Sequence, residues 1–436
     1  MRRQKRRPVV SLAIIFILIL LFIWQLPALL RTIPSRYLFR APDFIQEIAR
    51  GEQNPILPTA AAPSDAAALL APTTIPTSLP TPVVRATGGP PATPTPIPTS
   101  TPIPTATTPP IPIIGNARLE GIYHQFQDWN NCGPATLAMT LSYFGLAPNQ
   151  TETAAILKPS QEDRNVSPNE MAAYVNTQTD IRAIDRVNGN LDTLRRLLDA
   201  GFPVIIEIGL DPPGEYAWLE WYGHYLLVVA YDDAQGQIWV YDSWFGTSEV
   251  PLENKHSFGR IVTYENLENY WAQFNRTYIT LYSQEQESTL QAIIGAEWDD
   301  TLMWQNALVR SQNEATNTPE NAFYWFNMGT AYNHLGDYVR AAAAYDQARA
   351  IGLPWRMLWY QFGPYEAYYQ MGRYEDVITL TNATLQTYDY FEEALYYRGI
   401  AEQALGDLIS ARTDLEKAAA FNPQFTPAVE ALAQLN

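Results

Sequence analysis

The sequence contains few residues of the types that bind metals, form cross-links or carry positive charge. Its 436 residues include one cysteine, four histidines, and 28 Lys or Arg against 45 Asp or Glu. A single cysteine excludes intrachain disulfides and zinc sites built from several thiolates. The histidines lack metal-ligand spacing, so the sequence predicts no metal and no cofactor. The formal net charge of −17 repels phosphate-rich ligands, so nucleic acid is excluded as a partner.

Positive charge is concentrated at the N-terminus. Residues 1–50 hold nine Lys or Arg and two acidic residues, a balance of +7 that leaves −24 for the remainder. Basic residues at positions 2–7 precede an apolar run over residues 9–30, which as a helix would be about 33 Å long, close to a bilayer core. We therefore expect residues 1–35 to form a cytoplasmic basic tip and a transmembrane anchor, and the rest of this single-pass cell-membrane protein to be extracytoplasmic. A cleaved signal peptide is the alternative, but no clear small-x-small site follows.

Proline is unevenly distributed along the chain. Residues 51–113 hold 17 of the 34 prolines, interleaved with Thr, Ala and Ser. Proline fixes φ and removes a hydrogen-bond donor, so neither helix nor sheet is expected to propagate there. Residues 36–113 are predicted to be a disordered Pro/Thr-rich linker that acts as an extended spacer.

The next part of the chain has the alternating pattern of a folded domain. Predicted helices cover residues 134–144, 151–157, 168–175 and 191–200, and predicted strands cover residues 117–123, 203–209, 224–231, 237–241 and 278–282. Helices followed by an antiparallel sheet indicate an α+β domain over residues 114–285.

The only cysteine lies where a helix is predicted to begin. Cys132 comes two residues before Pro134, which fits the first turn of a helix. Unpaired N–H groups and the dipole at a helix start lower the pKa of a thiol and favour the nucleophilic thiolate. A free cysteine is usually a small buried hydrophobic residue, but the polar neighbours of Cys132 and its uniqueness in an exported chain favour a catalytic role.

Two further residues complete a candidate catalytic group. His224 opens one predicted strand, and Asp242 ends the strand that follows it after a turn. A hairpin lays these strands side by side, so the carboxylate and the imidazole are expected to meet. Such a pair fixes the tautomer and orientation of a catalytic histidine. Alone, each is an ordinary strand-end or turn residue; with Cys132 they predict a Cys-His-Asp triad.

The sequence around these residues resembles papain-like cysteine peptidases, and among them the bacteriocin-processing (double-glycine leader) peptidase family. The resemblance rests on Trp129-Asn130-Asn131-Cys132-Gly133-Pro134-Ala135, Gly223-His224-Tyr225 and Tyr241-Asp242-Ser243-Trp244, and it covers residues 117–246. It implies a papain-like fold with Cys132 as nucleophile, His224 as general base and acid, and Asp242 orienting His224.

The same resemblance implies a glutamine that stabilises the oxyanion, a few residues before the cysteine. Gln127 and Gln125 are both candidates, and the spacing of Gln127 is closer to that of the family. The leader peptidases face the cytoplasm beside an ATP-driven exporter, whereas this chain has no nucleotide-binding motif and is expected to face outward. Cleavage after a double glycine is therefore not carried over.

The C-terminal part contains an internal repeat. Residues 329–338, 365–374 and 399–408 are similar, with shifts of 36 and 34 residues. This pattern resembles tetratricopeptide (TPR) repeats and predicts an all-α TPR superhelical domain over residues 286–436, which binds a protein partner. An aromatic stretch over residues 355–369 fits a binding groove, an interface with the α+β domain, or helix packing alone.

Together these features predict a membrane-anchored extracytoplasmic cysteine peptidase. Its substrate is a peptide or protein, and its TPR repeats bind the substrate or a partner. A non-catalytic envelope scaffold that binds proteins, or an acyl transferase that uses the same triad, are the alternatives.

Overall fold

The chain folds into a mixed α and β part followed by an all-helical part, as seen in a computed structural model. The structure describes residues 25–26, 29–30, 45, 57–63, 66–70, 112–212, 220–248 and 259–435. The predicted anchor at residues 1–35 therefore lies almost wholly outside the described residues. Within the described part of the chain, no helix combines the length and hydropathy that crossing a membrane requires.

Part of the proline-rich segment packs against the C-terminal helices, so the prediction of a disordered linker is wrong for residues 57–63 and 66–70. Leu57 and Leu69 are buried in the apolar cluster of those helices. Residues Ala66–Leu69 form a short helix, α1. The guanidinium of Arg349 donates through Nε to the Pro58 carbonyl oxygen at 2.9 Å. Burial of these two leucines favours packing of the segment against the helices. The proline content of the segment does not reveal this contribution.

An antiparallel sheet of seven described strands lies at the centre of the mixed part. The strands are β1 Asn116–Arg118, β2 Arg182–Arg186, β3 Val204–Leu210, β4 Tyr222–Asp232, β5 Gln237–Asp242, β6 Arg260–Thr263 and β7 Tyr278–Tyr282. Their order is β2-β7-β3-β4-β5-β6, and β1 also pairs with β4. The helices are α2 Cys132–Ser142, α3 Gln150–Leu157, α4 Pro168–Gln178, α5 Leu191–Asp199, α6 Tyr264–Trp271 and α7 Glu287–Ile294.

The sheet separates two apolar clusters, because side chains alternate between the faces of a strand. Leu226 and Val228 of β4 pack in a cluster with residues of α5, α6 and α7. Leu227 and Val229 pack in a second cluster with residues of α2 and α4. Helices therefore cover both faces, and the prediction of an α+β domain is confirmed.

Most predicted elements of this part are present with shifted ends, and β7 has the predicted bounds. The strand predicted over residues 117–123 is wrong beyond Arg118, because only three residues pair with β4 before the chain turns toward α2. The sequence analysis missed β2, β6, α6 and α7. The two strands form the edges of the sheet and are short and partly charged, so their apolar pattern is weak.

The C-terminal part consists of helices that pack in sequence order. They are α8 Asp300–Asn317, α9 Ala322–His334, α10 Tyr338–Ile351, α11 Gly363–Gln370, α12 Tyr374–Thr387, α13 Glu392–Leu405, α14 Leu408–Phe421 and α15 Thr426–Gln434. The helix pairs α9/α10, α11/α12 and α13/α14 are each joined by a turn with a glycine at φ +76°, +70° or +89°, at Gly336, Gly372 and Gly406. Glycine adopts this left-handed conformation without steric cost. The three similar sequence segments thus end their first helices in the same way.

The two parts share an extensive contact. Helix α7 packs in the sheet cluster through Leu290 and Ile294, so the predicted domain boundary at 285/286 lies too early. Trp221 and Phe274 of the mixed part belong to the apolar cluster of the C-terminal helices. This continuous burial indicates that the helices are fixed against the sheet part.

Candidate active site

Cys132 is the first residue of helix α2. It is partly exposed, whereas the other residues of the helix are buried. Asn131, at the N-cap position, makes no capping hydrogen bond with its side chain. The N–H groups of the first turn therefore remain available to an anion at this helix end. The glycine that follows allows close packing, since a Cβ at Gly133 would lie 3.2 Å from the Cβ of Val166.

Strand pairing brings His224 and Asp242 together. Asp242 lies opposite Leu226 in the β4–β5 pair, two residues along from His224. The Nε2 atom of His224 is 2.9 Å from Oδ1 of Asp242, and the two side chains are 3% and 6% exposed. The Cys132 thiol interacts with the same imidazole, since each group shifts the pKa of the other. Because Asp242 occupies Nε2, Nδ1 is the ring nitrogen that remains for the thiol.

The carboxylate of Asp242 is held by more than the histidine. Its Oδ1 atom accepts hydrogen bonds from the backbone N–H groups of Trp244, at 2.7 Å, and Phe245, at 3.0 Å. Burial alone raises the pKa of a carboxyl group, but the charge and hydrogen bond of His224 and these two N–H groups lower the pKa of Asp242 below its ordinary value. Asp242 is therefore an anion with a fixed orientation at neutral pH.

The charges of Cys132 and His224 support each other. Burial lowers the pKa of an imidazole, but Asp242 and Cys132 outweigh this effect and raise the pKa of His224 to about 10. Burial likewise opposes ionisation of the thiol, but His224, the N–H of Tyr225 and the charge of Lys158 lower the pKa of Cys132. The site can therefore hold a thiolate beside an imidazolium near neutral pH.

The two candidate oxyanion glutamines have different surroundings. Gln125 uses both ends of its amide within the fold, since Nε2 donates to the Pro148 oxygen at 3.1 Å and Oε1 accepts from the N–H of Gln150 at 3.0 Å. The Oε1 atom of Gln127 accepts a hydrogen bond at 2.8 Å from Oγ of Ser243, the residue that follows Asp242. No hydrogen bond among the described residues occupies Nε2 of Gln127. Of the two glutamines, Gln127 therefore has the free amide donor, and it lies beside the residue that follows Asp242.

Residues of the C-terminal helices reach this site. Tyr360 packs on the backbone of Gly223, where a Cβ would lie 3.0 Å from Cδ1 and Cγ of its ring. On the other side, the guanidinium of Arg164 lies between rings of the two parts, 4.8 Å from the ring centroid of Trp129 and 3.9 Å from that of Tyr388. The loops on both sides of Cys132 and His224 are therefore supported by the helical part.

The sequence analysis found some of these contacts and missed others. Tyr360 lies in the aromatic stretch over residues 355–369, for which an interface was one alternative. That alternative is confirmed by Tyr360 and by Arg356, whose Nη1 donates to the Trp221 oxygen at 3.2 Å. Lys158 and Arg164 were missed. Each is an isolated cation distant in sequence from Cys132, and no local pattern identifies such a residue.

Metal ligation has no support within the described ranges, where no group of three or more His, Cys, Asp or Glu could hold a metal ion. His124 instead contacts the end of strand β5, with its Nε2 atom 2.8 Å from the backbone oxygen of Asp242.

Two of three comparisons with known proteins give a match. Residues 120–279 match the sequence model of the Peptidase_C39 like family. Among solved structures, a protein from Bacillus anthracis described as a C39-like peptidase is 18% identical; the match covers 39% of this chain and 98% of that chain, with a TM-score of 0.30. A comparison with curated proteins gives no match. Residues 120–279 of α+β composition are thus similar to C39-like peptidases, and a helical C-terminal region follows them.

Proposed function

We propose that this protein is a cysteine peptidase that hydrolyses peptide bonds with Cys132, His224 and Asp242. One observation carries the proposal: the only thiol of the chain, at the start of a buried helix, interacts with an imidazole that a buried carboxylate holds at 2.9 Å. This is the geometry that nucleophilic catalysis by a thiolate requires.

The proposed reaction has two steps. The Cys132 thiolate attacks the carbonyl carbon of the scissile bond, and the Nε2 amide of Gln127 with the N–H groups at the start of α2 stabilise the oxyanion. The imidazolium of His224 gives its proton to the leaving amine as the C–N bond breaks, which leaves a thioester on Cys132. His224 then removes a proton from water, which attacks the thioester and releases the carboxylic acid and the thiol.

Labelling with a peptidyl chloromethyl ketone tests the proposal. Because Cys132 is the only cysteine, a thiol-directed probe has one target. We expect labelling of the wild type at neutral pH, strongly reduced labelling of His224→Ala, and none of Cys132→Ser. Equal labelling of the wild type and Cys132→Ser would show that Cys132 is not activated and would leave the scaffold alternative.

Hydrolysis and acyl transfer share the thioester, so products must separate them. N-terminal peptide profiling of cells that express the wild type or Cys132→Ser would identify cleaved substrates. We expect new free N-termini with the wild type only. A product that instead carries an added amine, detected by mass spectrometry, would replace the peptidase proposal with a transferase.

We also propose that the three helix pairs are TPR repeats that bind the substrate or a protein partner. Their equivalent turn glycines and their close helix crossings support this: a Cβ at Gly329 would lie 2.7 Å from the ring of Tyr345, and one at Gly399 would lie 2.9 Å from Cγ of Leu415. Truncation after residue 298 is not a clean test, because the helices support the site. Photo-crosslinkers placed at exposed positions of α10 and α14 should capture the cleaved substrate; crosslinks to the peptidase domain alone would contradict the proposal.

The location follows from the basic N-terminus and the apolar run, which support a membrane anchor with both folded parts extracytoplasmic. Cells are stripped of their outer layers while the inner membrane stays intact. Protease added to these cells should digest the C-terminal helices. Protection until the inner membrane is permeabilised would reverse the proposed orientation.

A further inference from the structure

Lys158, the residue that follows helix α3, is buried beside the loop that leads to Cys132. The residue is only 3% exposed. The Nζ atom donates to three backbone oxygens: that of Asn130 at 3.0 Å, that of Asp163 at 2.9 Å and that of Trp129 at 3.4 Å. An ammonium group has three donors and no acceptor, so these oxygens use its full capacity.

Two of the three bonds hold the loop that ends in Cys132. Within that loop Asn130 has a φ of +52°, a left-handed conformation that costs energy for a residue with a side chain. The Lys158 ammonium bridges this residue and Trp129 to the Asp163 carbonyl on the far side. The cation therefore keeps the backbone before the thiol in a conformation that it would not adopt readily alone.

Nearby carboxyl groups offset the buried charge of Lys158 only in part. Among the described residues, no carboxylate lies within ion-pair distance of Nζ, and Asp163 offers its backbone oxygen. The side chain of Asp163 accepts from the N–H of Asn165 at 3.1 Å. Burial, and then the charge of Glu392, raise the pKa of Asp163 well above its ordinary value, so its carboxyl group is a weak counter-ion. A cation buried in this way is costly, and its field reaches its neighbours with little screening.

We propose that Lys158 is a positioning residue for Cys132, which fixes the loop before the thiol and favours the thiolate by its buried positive charge. The inference rests on the proposed function, since a thiolate matters only if Cys132 is a nucleophile. It adds to the triad a cation that acts through the backbone and through space and does not contact the substrate.

Other groups also face the thiol and the ammonium, and a test must separate their effects. The titratable groups that interact with Cys132 are His224, Lys158, Glu207, Tyr222, Tyr225 and Tyr360. Those that interact with Lys158, besides Cys132, are Asp163, Arg164, Glu162 and Glu392. Burial lowers the pKa of Lys158 to about 8, so it is largely charged at pH 7 and below.

The pH dependence of alkylation by iodoacetamide tests the proposal on the full-length chain, where Cys132 is the only thiol. Lys158→Gln keeps a hydrogen-bond donor but removes the charge. We expect it to move the midpoint of the alkylation profile upward by about one pH unit, which slows alkylation about tenfold below the midpoint. Lys158→Arg keeps the charge and should retain a midpoint near that of the wild type. Lys417→Gln, which removes a cation that pairs with Asp389 at the surface, should have no effect.

The outcomes separate this inference from the proposed function. A wild-type midpoint near 8.5, the value of an ordinary thiol, would overturn the peptidase proposal. A lowered wild-type midpoint that is unchanged in folded Lys158→Gln would overturn the role of Lys158 and leave the peptidase intact.

A second measurement needs no substitution at Lys158 and covers the case in which its variants do not fold. The chain has four lysines, so ¹³Cε-lysine labelling gives few NMR signals. Because coupling between two sites is reciprocal, alkylation of Cys132 should lower the pKa of Lys158 by about as much as loss of the lysine charge raises that of the thiol. An unchanged lysine titration after alkylation would overturn the inference.

Discussion

The contact between Tyr360 and Gly223 gives a test of whether the helical part supports the catalytic strand. Gly223 directly precedes His224, and a Cβ built on it would lie 2.8 Å from Cζ of Phe274 and 3.0 Å from Cγ and Cδ1 of Tyr360. Ordinary contacts of this kind lie at 3.4–4 Å, so Gly223→Ala overlaps both rings. Overpacking of this kind costs about 1–3 kcal/mol.

The role of Tyr360 can be isolated with a double-mutant cycle. We expect Gly223→Ala to lower the midpoint of thermal unfolding by about 2–4 °C for each kcal/mol, and to slow alkylation of Cys132 because the methyl group displaces the start of β4. Tyr360→Ala removes one of the two obstructing rings. The double variant should therefore be less destabilised than the sum of the single variants by about 1 kcal/mol, a coupling typical of residues in contact.

The assay is urea unfolding of the full chain followed by circular dichroism, with Tyr374→Ala as the matched control. The Tyr374 ring packs against Tyr369 in the next pair of helices, so its combination with Gly223→Ala should be additive. If the free-energy changes of Gly223→Ala and Tyr360→Ala also add to within about 0.5 kcal/mol, the reasoning is refuted. Additivity would mean that Tyr360 does not restrict the space at Gly223 in strand β4.

Four further variants address the site and its surroundings. Asp242→Asn keeps an oxygen for the backbone donors but removes the charge that raises the pKa of His224 to about 10. Peptide hydrolysis requires the imidazolium as proton donor, so the alkaline limb of its pH profile should move to lower pH; an unmoved limb would contradict this. Gln127→Ala should lower kcat about 10²–10³-fold with unfolding unchanged, whereas Gln125→Ala should mainly lower stability; the reverse result would exchange their roles. Burial raises the pKa of Glu170 from 4.5 to about 7. Its stabilising contribution is therefore present below pH 4.5 and is lost as the pH rises through 7. Glu170→Gln should flatten the pH dependence of the free energy of unfolding over that range, and an unaltered slope would exclude Glu170 as its source.

The part of the site that depends on local sequence could be predicted. His224 and Asp242 lie on consecutive strands joined by a short turn, so the hairpin alone implies that they are neighbours. Cys132 lies 92 residues before His224, and its proximity depends on how helix α2 crosses the sheet. Only the motifs shared with a known family, together with the helix start, identified it in advance.

Residues that act through tertiary contacts could not be predicted. Lys158 follows α3 in a segment with no distinctive pattern, and its bonds to the Cys132 loop exist only because α3 packs beside the start of α2. The packing of Leu57 and Leu69 was missed for a related reason: the abundance of proline describes the average of a segment, whereas two leucines suffice to attach it.

The attachment of residues 57–70 changes how far the catalytic site can extend from a membrane. The Leu69 carbonyl accepts from Nε2 of Gln312 at 3.0 Å, so this segment is bound to the helical part. On the proposed topology, only residues 36–56 separate the anchor from that attachment, and 21 residues span at most about 75 Å. A free chain as far as residue 113 would span up to about 270 Å. On that topology, the proposed peptidase would act within a short radius of the bilayer.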